Sequence, residues 1–134
     1  MLQRQIMTLL ADSNLHQREK TLSSLAKKTY RHKNTVRYNL KRLQRKGLIK
    51  SNKLLDNPNQ RVYHLTVLGK EWVIKRYIYF VEQLYNIFLY PSEFIKFNKS
   101  VRTKFLDHLK LLLNKLRSAL RSVMDTKDQY ITLN

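Results

Sequence analysis

Between Lys27 and Arg61 the chain gathers side chains that donate hydrogen bonds while carrying positive charge, set against one carboxylate, Asp56. Lys33, Asn34, Thr35, Arg37, Tyr38 and Lys41 are interleaved with Val36, Leu40 and Leu43, whose spacings of four and three draw an apolar stripe along one side of a helix. The polar set is thereby turned away from the core. An arginine fork or a lysine suits the paired acceptors of guanine, an asparagine amide suits the donor and acceptor of adenine, and threonine suits a thymine methyl or a phosphate. Lys27, Lys28, Arg31, His32, Arg42, Arg45, Lys46, Lys50, Lys53 and Arg61 surround this set. They suit phosphate oxygens, which supply affinity and register but little base identity. Each of these side chains taken singly is equally readable as a solvated surface group.

Bond-making chemistry finds little support. His16, His32, His64 and His108 have no second His or Cys at metal-ligand spacing, the chain has no cysteine, and its two glycines, Gly47 and Gly69, build no phosphate-cradling loop. Asp107 and His108 are neighbours on a helical stretch and so point in different directions. The expectation is a protein that is not an enzyme and holds no metal or other cofactor. No charged start with an apolar run and cleavage site opens the chain. Its most apolar stretch, residues 77–90, is interrupted by Glu82, Gln83 and Asn86 and falls short of the roughly 20 apolar residues of a membrane span. A cytoplasmic, nucleoid-associated protein without a membrane partner is expected.

The elements that must position the cationic set follow from composition and period. The 134 residues carry a formal net charge of +18, with 18 Lys/Arg against 4 Asp/Glu in residues 1–76 and 9 against 5 in residues 77–134. A chain this basic repels itself unless it meets an anion, and nucleic acid is the leading candidate, met by the first half. A generally basic, solvated surface is the bland alternative. Two Gly and two Pro leave little material for tight turns, so the chain should be mostly helical. Leu2, Ile6, Leu9 and Leu10 predict a first helix ending near residues 12–14, and Ser/Thr caps at 21–23 open a second that reaches about Thr29. After a break at residues 30–32, the helix of Val36, Leu40 and Leu43 ends at Gly47. The period then changes to two through Thr66, around turn residues Asp56, Asn57, Pro58 and Asn59, which predicts a β-hairpin. Helical pattern resumes at Trp72, is punctuated at Pro91 and Ser92, and returns from Phe97 to Met124, a helix of roughly 40 Å.

A short helix bearing Leu25 and Ala26, a turn, and a second helix bearing Val36, Leu40 and Leu43 is the spacing of a helix-turn-helix, with Ala26 as the small residue at the crossing. Leu25, Ala26, Thr35, Val36, Leu40, Arg42 and Leu43, then Lys46, Gly47, Leu48 and Ile49, then Arg61, Tyr63, Leu65, Thr66 and Gly69 together resemble winged helix-turn-helix regulators of the MarR, ArsR and PadR kind. The resemblance covers about residues 2–71. It implies a mainly α fold with a small β-hairpin wing, a third helix entering the major groove, and a wing along the backbone or minor groove. Two departures stand out. Tyr30 and Arg31 occupy a turn where those families have Gly and an aliphatic residue, and His32 sits where a Ser-like cap is common. Arg31 and His32 are either recruited toward phosphate or part of an irregular turn.

Phe105, Leu109, Leu112, Leu113, Leu116, Leu120 and Val123 fall on a stripe with more apolar surface than a small neighbouring domain covers, which predicts a homodimer interface; packing within one chain is the alternative. The segment from Trp72 to Tyr90, apolar almost all round, should be sandwiched between the winged domain and the long helices. Such helical extensions also resemble small archaeal winged-helix proteins that dimerise through a coiled coil. The resulting expectation is a DNA-binding domain at residues 1–71 and a dimerisation region at 72–134, in a sequence-specific transcriptional regulator of double-stranded DNA. An architectural DNA-coating protein and a winged-helix adaptor for protein partners in plasmid partition or replication stay open. The sequence identifies no small-molecule effector.

Overall fold

A computed structural model of the chain describes residues 1–90 and 99–133. Helices α1 (Leu2–Ala11), α2 (Leu22–Thr29) and α3 (Lys33–Arg45) precede an antiparallel pair, β1 (Ile49–Lys53) and β2 (Arg61–Leu65), and then α4 (Val67–Leu89) and α5 (Lys99–Leu133). The chain divides into two compact units, Met1–Val73 and Ile74–Asn134.

Local signals set the helix ends of the first unit. Thr21 Oγ1 accepts from Ser24 N at 3.4 Å and caps α2, as the Ser/Thr cluster predicts. Helices α2 and α3 then end with the same pair of hydrogen bonds. Arg31 N donates to Ala26 O at 3.1 Å and Tyr30 N to Lys27 O at 3.3 Å; Leu48 N donates to Leu43 O at 3.1 Å and Gly47 N to Gln44 O at 3.0 Å. Both closures need a left-handed residue, and Tyr30 (φ 55°) and Gly47 (φ 75°) supply it.

Helix α4 starts at Val67, ahead of the Trp72 at which the apolar pattern becomes visible. Thr66 is the reason. Its hydroxyl donates to Gly47 O at 2.6 Å and accepts from Gly69 N at 3.0 Å, while its own N–H donates to Leu48 O at 3.0 Å. One residue thus caps α4 and fastens it to the end of α3. Gly69 permits the approach, because a Cβ there would overlap the Leu48 carbonyl oxygen.

The core of this unit joins Ile6, Met7 and Leu10 of α1, Leu25 and Ala26 of α2, and Val36, Leu40 and Leu43 of α3. Ile49, Leu65 and Val73 extend it, with Tyr63 and Trp72 packed against it. The hairpin registers Ile49 with Leu65 and Lys53 with Arg61, and Asn57 and Asn59 turn it as expected.

In the second unit Val81 of α4 and Leu109 and Leu113 of α5 are buried together, with Ile78, Leu84, Tyr85 and Leu116 packed against them. Phe88 and Phe105 meet edge to face at 4.6 Å, and Arg117 pairs with Glu82 at 3.2 Å. Along the Trp72–Tyr90 segment Tyr79, Phe80 and Tyr90 are 66%, 60% and 70% exposed. One partner helix covers one stripe of another, and α4 carries apolar groups on more than one. Helix α5 continues beyond the expected end at Met124 to Leu133, while the Pro91–Ser92 break and the Phe97 start lie outside the described residues. Among the described residues no helix is long and apolar enough to cross a membrane.

Candidate nucleic-acid interface

Helix α3 is held from one side only. Val36, Leu40 and Leu43 are 0%, 1% and 1% exposed, and this burial turns Lys33, Asn34, Thr35, Arg37, Tyr38 and Lys41 outward, all of them exposed. His32 begins the helix: its ring Nδ1 accepts from Asn34 N at 3.3 Å, so the imidazole does the work of the Ser-like cap it replaces.

The outward face is partly organised by its own side chains. Arg37 Nη1 donates to Asn34 Oδ1 at 3.0 Å, which occupies the amide oxygen and leaves the pair presenting donors. Asn34 would have to release Arg37 to pair bidentately with adenine. Arg42 donates to the Tyr38 hydroxyl at 3.3 Å, its guanidinium carbon 5.6 Å from that ring's centroid. Lys46 Nζ donates to Gln3 Oε1 at 2.9 Å and so ties the end of α3 to α1.

The hairpin is fastened to α3 by polar contacts. Ser51 Oγ accepts from Gln44 Nε2 at 3.3 Å and from Arg61 Nη1 at 3.2 Å, linking α3, β1 and β2 at one hydroxyl. Lys50 and Lys53 are exposed, and Lys53 stands opposite Arg61 in the ladder, an unfavourable like-charge pair unless an anion lies against it. Between the start of α2, the start of α3 and the hairpin lies a cleft of about 330 Å³. Lys33, Arg37 and Arg61 converge on it together with Thr21, Ser23 and Asn59, and no carboxylate lines it.

The carboxylates of this unit that could neutralise the surface are committed to its edges. Glu19 pairs with Lys28 at 3.2 Å, and that hydrogen bond, followed by one from the His16 backbone, holds its carboxyl below the usual range. Asp56 pairs with Arg18, which lowers its pKa likewise. Lys28 is therefore partly neutralised, whereas Lys27, Arg31 and Arg45 are exposed.

Sequence reasoning missed the contributions of Ser23, Gln44, Ser51 and Asn59. Residues 21–23 carry a capping signal and Asn59 a turn signal, but their convergence depends on how hairpin and helices fold over one another. Of the α5 stripe, Leu109 and Leu113 lie in the chain's own core, Leu116, Leu120 and Val123 are half-buried, and Phe105 and Leu112 are exposed.

Neither a protein-family model nor a curated protein matches the chain. Solved structures do. The chain is similar to S. aureus MepR in its complex with DNA, with 24% identity over 89% of this chain and 78–79% of comparable MepR chains, at a TM-score of 0.60. It is similar to Streptococcus pneumoniae FabT in complex with DNA, with 21% identity over 85% of this chain and 75% of that one, at a TM-score of 0.57. A variant of Lactococcus lactis ZitR in apo form matches at 22% identity over 90% of this chain and 80% of that one, at a TM-score of 0.54. The fold is a winged helix-turn-helix shared with these structures, mainly helical with a two-stranded wing, as the sequence resemblance implies.

Proposed function

We propose that the chain is a transcriptional regulator that binds double-stranded DNA in a sequence-specific manner as a homodimer. One observation carries the reading: the face of α3 opposite Val36, Leu40 and Leu43 is exposed, cationic and free of carboxylates. Support comes from the fold it shares with MepR and FabT, both solved with DNA. Residues 1–71 form the DNA-binding domain in this reading, and α3 lies in the major groove. Arg37 meets guanine acceptors, a bidentate contact that discriminates by about 1–3 kcal/mol. Lys33, Asn34, Thr35, Tyr38 and Lys41 complete the base-facing set, while Lys27, Arg31, Arg42, Arg45, Lys46, Lys50, Lys53 and Arg61 hold phosphates.

Residues 72–134 form the dimerisation region, and Leu112 and the exposed aromatic face of α4 meet a second copy. Two α3 helices spaced one turn of the duplex apart then read a two-fold symmetric site.

Titration of labelled duplex libraries at several salt concentrations tests the reading. Selection of a preferred site is expected. Arg37→Ala should lose that selection, whereas Arg45→Ala should weaken all sequences alike and reduce the log–log salt slope by about 0.9. Steep salt dependence with no preferred sequence would instead support the architectural role that a net charge of +18 favours. Absence of duplex binding would overturn both.

A further inference from the structure

Helices α2 and α3 close with the same hydrogen-bond pattern, yet one closure uses Gly47 and the other Tyr30. Glycine enters the left-handed region freely, whereas an L-residue with a bulky side chain is strained there. Tyr30 gives the fold nothing visible in return. Its side chain is 94% exposed, and its hydroxyl has no hydrogen-bond partner among the described residues. The ring is therefore held in water, on a strained backbone, where glycine would close the helix at lower cost. Its sequence neighbours are Lys27 and Lys28 on one side and Arg31 and Lys33 on the other. Two residues further on, His32 caps the helix assigned to the groove.

We propose that Tyr30 is a DNA contact, its ring packed on a deoxyribose beside the major groove and its hydroxyl donating to a phosphate oxygen. The inference rests on the DNA-binding reading above. The chemistry fits the place: a tyrosine hydroxyl is an ordinary donor to the sugar–phosphate backbone, and an aromatic face packed on a deoxyribose withdraws apolar surface from water. The contact fixes register without reading sequence and without adding charge.

This leads to an uncommon pair of effects from one substitution. Tyr30→Gly should raise the thermal midpoint by roughly 2–6 °C, by relieving the backbone. It should also weaken binding to a selected duplex and to unrelated duplexes by a similar factor, about 5- to 10-fold. The salt slope should stay unchanged, since no cation is lost, in contrast to Arg45→Ala. Tyr30→Phe, which keeps the ring and the strain, should leave the midpoint alone and lose about 3-fold in affinity. Tyr30→Asn provides a second small residue that tolerates the left-handed region.

If the unmodified protein binds duplex and both Tyr30→Gly and Tyr30→Asn bind equally well, the contact is refuted while the DNA-binding reading stands. An unchanged or lowered midpoint in both variants refutes the strain argument. A change in mass by light scattering with unaltered duplex affinity assigns the ring to a protein partner and overturns the proposal. If the unmodified protein binds no duplex, the underlying reading fails first.

Discussion

In the unit Met1–Val73, α1, α2, α3, β1, β2 and the start of α4 contribute to one connected core. In the unit Ile74–Asn134, Val81, Leu109 and Leu113 form the buried cluster, and Tyr79, Phe80, Ile87, Leu111 and Leu112 are left exposed. The first unit builds one core from its own elements, leaves Tyr30, Tyr38, Leu55 and Leu68 outside it, and carries an exposed surface rich in cations. The second covers one seam and leaves apolar groups outside it. A self-contained fold needs no partner to be stable, whereas a long helical pair with uncovered apolar faces gains by association. The difference separates the folding of the first unit from the association proposed for the second, and substitutions can test that separation.

The largest effects belong in the closed core. Leu40→Ala removes a side chain 1% exposed between three helices and should cost about 2–5 kcal/mol in unfolding free energy, measured by denaturant titration. Gly69→Ala should also be strongly destabilising, since the added Cβ overlaps the Leu48 carbonyl and must push α4 off the end of α3. Neither change touches the outward face of α3. If Leu40→Ala unfolds the protein no more easily than a surface substitution, the first unit is not a self-sufficient body.

How far such residues are visible in sequence depends on whether their role is local or spatial. Val36, Leu40 and Leu43 announce their burial through spacing, and the caps at Thr21 and Gly47 announce helix ends, because both signals act within a few residues. Met7 carries no such announcement, yet it is 1% exposed and central to the core. The start of α4 is hidden because Thr66 acts through Gly47 and Leu48, nineteen and eighteen positions earlier. Ser51 is invisible for the same reason, as its two donors come from α3 and β2. On α5, heptad spacing reveals an apolar stripe but not which part faces α4. The same period serves a seam within a chain and a seam between chains.

That ambiguity supplies a sharper test, on adjacent residues. Leu113 is 7% exposed and belongs to the seam with α4, whereas Leu112 is 43% exposed. Leu113→Ala should cost about 2–3 kcal/mol in unfolding free energy, a core effect. Leu112→Lys should leave the unfolding of the single chain nearly unchanged and raise the dimer dissociation constant by about 30-fold or more, as a cation is buried at the interface. Light scattering across a concentration series reads the second effect and circular dichroism the first. A protein already monomeric at micromolar concentration, or a Leu112→Lys variant that associates normally, would remove the contrast drawn between the units.

The smallest expected effect separates the units by proton uptake rather than by packing. His64 on β2 has its pKa lowered, chiefly by burial and then by the positive charges of Lys20 and Lys50. The unfolded chain therefore takes up a proton at this imidazole at a higher pH than the folded chain does. Unfolding is favoured as pH falls through the ordinary histidine range, and this loss levels off once pH drops below the folded value. Thermal midpoints of the winged unit should decline modestly over that window, and His64→Gln should flatten the decline. Added salt should restore only the part owed to Lys20 and Lys50, since screening acts on charges and leaves burial untouched. An identical pH profile in the His64→Gln variant would show that the wing admits the charged imidazole, and that the closure of the first unit stops short of its hairpin.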